Sequence, residues 1–114
     1  MALSETVKHQ AETRLRAFCE RRVPVEVRDK VNLTYEFRGN SATLIENRPW
    51  FRDPGQWIAM SIAQFRFDPK NGKWTLYCAD RNAKWHEYKG IEPTSRFDEL
   101  LREVDVDPTC IFFG

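Results

Sequence analysis

Between Phe65 and Tyr88 the chain interleaves the aromatic residues Phe65, Phe67, Trp74, Tyr77, Trp85 and Tyr88 with the cations Arg66, Lys73, Arg81, Lys84 and Lys89. Exposed rings stack on nucleobases at roughly 1–3 kcal/mol per base while adjacent cations track phosphates, so this mixture suits a single-stranded nucleic-acid platform. Arg66, Trp74, Tyr77, Arg81, Lys84, Trp85 and Tyr88 are therefore the candidate binding residues. The same composition also describes strands that turn their rings inward, because half of any alternating strand faces a core.

A second set, Glu46, Asp80, Arg81, Asn82, His86 and Glu87, contains the residue types that move protons, with His86 able to titrate near neutrality. A small hydrolase-type enzyme would use Glu46 together with Asp80, His86 and the rest of the Asp80–Glu87 region, provided that they converge. Asp80 and Asn82 are also ordinary turn residues, and a glutamate near a strand end is ordinarily paired or solvated. Metal binding and cofactor chemistry have no motif to rest on. His9 and His86 are the only histidines, there is no H-E-x-x-H or C-x-x-C, and the 5 glycines form no phosphate-cradling pattern. No cofactor and no metal are expected.

These groups must be positioned by strands and two helices. Ser4 is a suitable N-cap, and Val7, Ala11, Leu15 and Phe18 recur at helical spacing, so a helix is predicted from Ser4 to Arg21, stopping before Pro24. Val31, Leu33, Tyr35 and Phe37 alternate with polar residues, and Gly39-Asn40 supplies a hairpin turn. Pairing Arg38 with Ser41 opposes Phe37 to Ala42, Tyr35 to Leu44 and Leu33 to Glu46, placing Glu46 on the apolar face.

Arg48–Gly55 holds two prolines and a glycine and reads as a loop carrying the exposed aromatics Trp50 and Phe51. From Trp57 an extended pattern resumes and changes face near Ala63, which suggests a β-bulge, although a short helical turn around Pro54 to Ala59 reads similarly. Asp68-Pro69-Lys70-Asn71-Gly72 is a turn leading into a strand from Lys73 to Ala79. Asp80-Arg81-Asn82 reverses the chain again before a last strand over Lys84–Lys89. Thr94 or Ser95 is expected to cap a second helix bearing Phe97, Leu100, Leu101 and Val104, and the apolar end Thr109–Gly114 to dock on the core.

The fold class is thus α+β: an antiparallel β-meander of four to five strands flanked by an N-terminal and a C-terminal helix, one domain over residues 1–114. A 41% hydrophobic composition supports one core at this length. The balance of 18 Lys+Arg against 17 Asp+Glu argues against a dedicated duplex-DNA binder. Cys19, Cys78 and Cys110 are odd in number and widely spaced, and they read as reduced, buried thiols. With no apolar run near the ~18 residues of a membrane span and a polar start, a cytoplasmic protein without membrane contact is expected.

Several phrases recur in a recognisable order: Arg28-Asp29, Glu46-Asn47-Arg48-Pro49-Trp50, Ile62-Ala63-Gln64-Phe65-Arg66-Phe67, Trp74-Thr75-Leu76-Tyr77, Asp80-Arg81-Asn82, Trp85-His86-Glu87-Tyr88 and Phe112-Phe113-Gly114. Together they resemble the bacterial family known as domain of unknown function 3024, which tends to end in Phe-Trp-Gly where this chain has Phe112-Phe113-Gly114. The resemblance implies a bacterial, cytoplasmic origin and brings no activity or ligand. The residues favour a non-enzymatic binding module that presents an aromatic and arginine face to single-stranded nucleic acid or another protein. The enzyme using Glu46 and Asp80–Glu87 is one alternative. A homo-oligomeric assembly module whose exposed aromatics are a dimer face is the other; the acidic second helix of one chain meeting the basic end of helix 1 in another would also favour self-association.

Overall fold

The computed structural model describes residues 3–113. Helix α1 spans Glu5–Arg22, with the Ser4 hydroxyl accepting a hydrogen bond from the Val7 amide. Five strands follow in sequence order, β1 (Asn32–Arg38), β2 (Ser41–Trp50), β3 (Asp53–Asp68), β4 (Lys73–Ala79) and β5 (Trp85–Glu87), and helix α2 covers Phe97–Val106. The sheet order β1-β2-β3-β4-β5 is a pure antiparallel meander, because each turn is too short for a crossover.

The first hairpin has the expected register, with Arg38 opposite Ser41 and Leu33 opposite Glu46, and Gly39 takes a φ of 59° that few other residues tolerate. At the β3–β4 turn Gly72 has a φ of 70°, and the Asp68 and Asn71 side chains accept the Lys70 and Lys73 amides. The change of face in β3 is a bulge: Leu44 pairs with Ala63 but Ile45 with Ser61, leaving Ile62 extra.

Arg48–Gly55 departs from expectation. It is strand on both sides of a two-residue turn at Phe51-Arg52, and the irregularity is absorbed as a second bulge in which Pro54, Gly55 and Gln56 fall between paired Asp53 and Trp57. Proline is compatible with an edge or a bulge, where no ladder donor is missed. The β2–β3 hairpin consequently runs on as an arm beyond the ends of β1 and β4, and the protein measures 45 Å along its longest axis.

Both helices pack on one face of the sheet. Ala11, Leu15, Phe18 and Cys19 of α1 and Phe97, Leu100, Leu101 and Val104 of α2 share a core with Leu33, Ala42, Leu44, Phe65, Trp74, Leu76 and Cys78. Within it Phe97 lies against Phe65 and stacks on Trp74, each at a centroid distance of 4.8 Å. Helix α2 starts later than expected. Thr94 is held extended by two backbone hydrogen bonds to Trp74 and accepts the Arg96 amide on its hydroxyl, so Arg96 becomes the N-cap position.

The charges of the two helices meet within the chain: Arg22 donates to Asp105 at 2.6 Å, with Arg21 beside the same carboxylate and Arg14 near Asp98. The C-terminal segment docks as expected through Phe112, whose ring lies 5.1 Å from that of Tyr88; Gly114 lies outside the described residues.

All three cysteines are free, but only Cys19 and Cys78 are buried, whereas Cys110 is exposed because the chain turns through a positive φ there. Burial pushes the Cys19 thiol up to about 11 and raises that of Cys78. Alkylation of the native protein is therefore expected to label Cys110 rapidly, with Cys19 and Cys78 modified only on unfolding, as read by peptide mass spectrometry. Rapid native labelling of Cys19 would contradict the packing of α1.

Candidate functional site

Among the described residues nothing covers the face of the sheet opposite the helices, and strand alternation determines what it presents. In β3, Phe65 points to the core and Gln64 and Arg66 point away, while in β4 Trp74, Leu76 and Cys78 point inward and Thr75 and Tyr77 outward. Register then assembles rows across this face. One runs Arg38, Ser41, Arg66, Thr75, and the next Glu36, Thr43, Gln64, Tyr77, Glu87. Trp85 lies opposite Ala79 on the same side.

The polar groups are interlocked. Gln64 Nε2 donates to Thr43 Oγ1 at 3.1 Å, Arg66 Nε donates to Gln64 Oε1 at 2.7 Å, and the Arg66 guanidinium lies 3.9 Å above the Tyr77 ring centroid. This holds a cation over an aromatic ring, and Arg66 stays exposed. Arg81 and Lys84, both exposed, lie in the β4–β5 turn that precedes Trp85.

Three of the seven candidate residues, Arg66, Tyr77 and Trp85, share the β3–β5 end of this face, and Arg81 and Lys84 lie in the adjoining turn. Trp74 and Tyr88 do not belong to it. Trp74 is 3% exposed and Tyr88 6% exposed. Trp74 is drawn inward by the alternation that buries Leu76. Tyr88 donates its amide to the Leu76 carbonyl, and its hydroxyl to Glu103 at 2.7 Å. Burial and that carboxylate raise the Tyr88 phenol above its usual range.

The proton-transfer set is divided between two places. Asp80 Oδ2 and His86 Nε2 are 2.7 Å apart, and Asp80 Oδ1 also accepts the Asn82 and Lys84 amides, so the carboxylate folds the β4–β5 turn. The hydrogen bond from His86 and then these amides hold the Asp80 carboxyl below its ordinary range. Glu46 instead pairs with Arg48 on the same side of β2. Leu44 is in register with His86 across three strand spacings, and Glu46 lies two residues further on, so roughly 14 Å or more separates Glu46 from the Asp80–His86 pair. No single substrate proton is within reach of both.

Sequence reasoning missed the arm as a site. Phe51 is 82% exposed at its tip, and Trp57, Ile58 and Met60 are 45%, 39% and 50% exposed along β3. The readable signal was the absence of any charged residue from Pro54 to Phe65. A shallow groove of about 640 Å³ between the end of α1 and β1 is lined by Arg16, Cys19, Tyr35 and Arg28 among others. Arg28 is committed there to the Val23 and Glu20 carbonyls, so it closes the end of α1. No helix among the described residues is long and apolar enough to cross a membrane.

Against known proteins, the family model described as Domain of unknown function (DUF3024) matches residues 3–114. No curated protein and no solved structure matches the chain.

Proposed function

The chain belongs to the DUF3024 family, and from that premise we propose that it is a non-enzymatic binding module whose open sheet face takes up single-stranded nucleic acid. The observation that carries this reading is the Arg66 guanidinium held over the Tyr77 ring, on a face that both helices leave free. A guanidinium held over a ring offers a flat surface to an unstacked base, and its remaining N–H groups are free for phosphate. Trp85 adds a second, half-buried ring, and Arg81 and Lys84 add two cations at the adjoining turn. Three free cysteines fit a reducing, cytoplasmic setting in a bacterial cell.

The net charge of +1 limits the electrostatic contribution, so binding is weak and non-specific, in the range of roughly 10–100 µM at low salt. Three phosphate-tracking cations give a slope of about −2 in log affinity against log salt for a single strand. Fluorescence anisotropy of a labelled oligonucleotide checks both expectations. Tyr77→Ala is expected to weaken binding about fivefold or more through lost stacking, with the circular dichroism spectrum unchanged. Absence of binding at 100 µM protein, roughly the weak end of non-specific affinities, overturns the reading and leaves this face as a protein interface.

A further inference from the structure

The β2–β3 arm leaves the body of the sheet with one side of β3 unpaired. β4 pairs with β3 only from Ala63 to Asp68, so among the described residues the backbone from Asp53 to Ile62 has β2 on one side and no strand on the other. From Trp57 to Met60 its side chains are apolar on both faces. Trp57 and Ala59 share the open face of the sheet through their pairing with Pro49 and Asn47, whereas Ile58 and Met60 lie on the helix side, beyond the reach of either helix.

Monomeric proteins protect such an edge with charges, prolines, bulges or shortness. Here Pro54 and the tip bulge disrupt only the far end, and Gln56–Ser61 has no charge, no proline and no covering element. We infer that this edge of β3 pairs antiparallel with the same edge of a second copy, centred close to Ile58, so that the two sheets become one.

A second copy is the occupant these residues fit. Two identical strands running antiparallel are related by a two-fold axis, so each unpaired backbone group meets its complement. Centring on Ile58 sets Trp57 opposite Ala59 and Pro54 opposite Ile62, with no like charges facing each other across the pair. β4 closes the edge at Ala63, so the pairing is confined to the stretch of β3 that precedes it. This pairing uses a different edge from the Arg66–Tyr77 surface and stands without the nucleic-acid reading.

Sedimentation equilibrium combined with amide hydrogen exchange tests it on the full chain. The expected result is a dimer at tens of micromolar, and the amides of Gln56–Ile62 are expected to exchange more slowly at high than at low protein concentration. Met60→Lys places a charge on the edge at an exposed position outside the core, and it is expected to raise the dimer dissociation constant at least tenfold with the melting temperature of the body unchanged. Tyr77→Ala is expected to leave the dimer intact. A monomer at 100 µM, a dimer indifferent to Met60→Lys, or protection confined to residues outside β3 overturns the inference.

Discussion

Leu100→Ala is expected to lower the free energy of unfolding by about 2–5 kcal/mol, the range for emptying a closed apolar site. Leu100 is fully buried on α2, in the layer that also contains Leu15, Phe18, Phe65 and Leu76, all buried to the same degree. The cost has two parts. The removed methyl groups lose their transfer free energy, and the space they leave is bounded by a sheet and a second helix that cannot both move inward. Urea denaturation followed by tryptophan fluorescence measures it, because Trp74 stacks on Phe97 of the same helix at 4.8 Å. A change below about 0.5 kcal/mol, the level of an ordinary surface substitution, would mean that α2 is peripheral.

That core was legible from the sequence because its signals are local and periodic. Phe97, Leu100, Leu101 and Val104 can face only one way on a helix, and an alternating strand beside Gly39-Asn40 admits a single register that keeps Leu33, Tyr35 and Phe37 with Leu44. The change of face at Ala63 identified the first bulge for the same reason. The arm was not legible, since proline and glycine mark turns and bulges equally well. Only the pairing of Pro49 with Trp57 distinguishes the two. The cap of α2 was displaced by a tertiary contact, the backbone pairing of Thr94 with Trp74, which no local pattern encodes.

The candidate site was half readable. Composition located the aromatic and basic segment, but the side each ring takes depends on strand phase. Tyr77 follows from alternation with Leu76. Tyr88 obeys the same alternation, opposite Leu76, but the phase of the short β5 is set by the turn that Asp80 organises. Glu46 and His86 illustrate a further gap. Both fall on positions of helix-side parity, yet three strand spacings separate them, a distance that only strand order reveals.

The second large effect is expected at Asp107, where α2 ends. Asp107 adopts a left-handed conformation with φ 49° and ψ 57°, and its carboxylate accepts the Phe112 amide at 3.1 Å and the Phe113 amide at 2.8 Å. This one side chain folds the C-terminal segment back. Phe112 is thereby seated against Tyr88, and Phe113 lies under the Arg22 guanidinium at 3.9 Å, while Arg22 in turn holds Asp105. Asp107→Ala removes two charge-assisted hydrogen bonds and puts a residue with no polar side chain into the left-handed region, for an expected loss of about 2–4 kcal/mol. Asp107→Gly loses the same acceptors but accepts the backbone conformation, so it is expected to be about 1 kcal/mol less damaging than alanine. Asp107→Asn keeps one acceptor oxygen and a tolerance for positive φ, and should be the mildest of the three. Denaturation midpoints rank the variants, and limited proteolysis after Phe112 reports whether the segment has come loose. Equal losses for alanine and glycine would show that the backbone conformation contributes nothing, and three losses below about 0.5 kcal/mol would show that the segment is not anchored through Asp107.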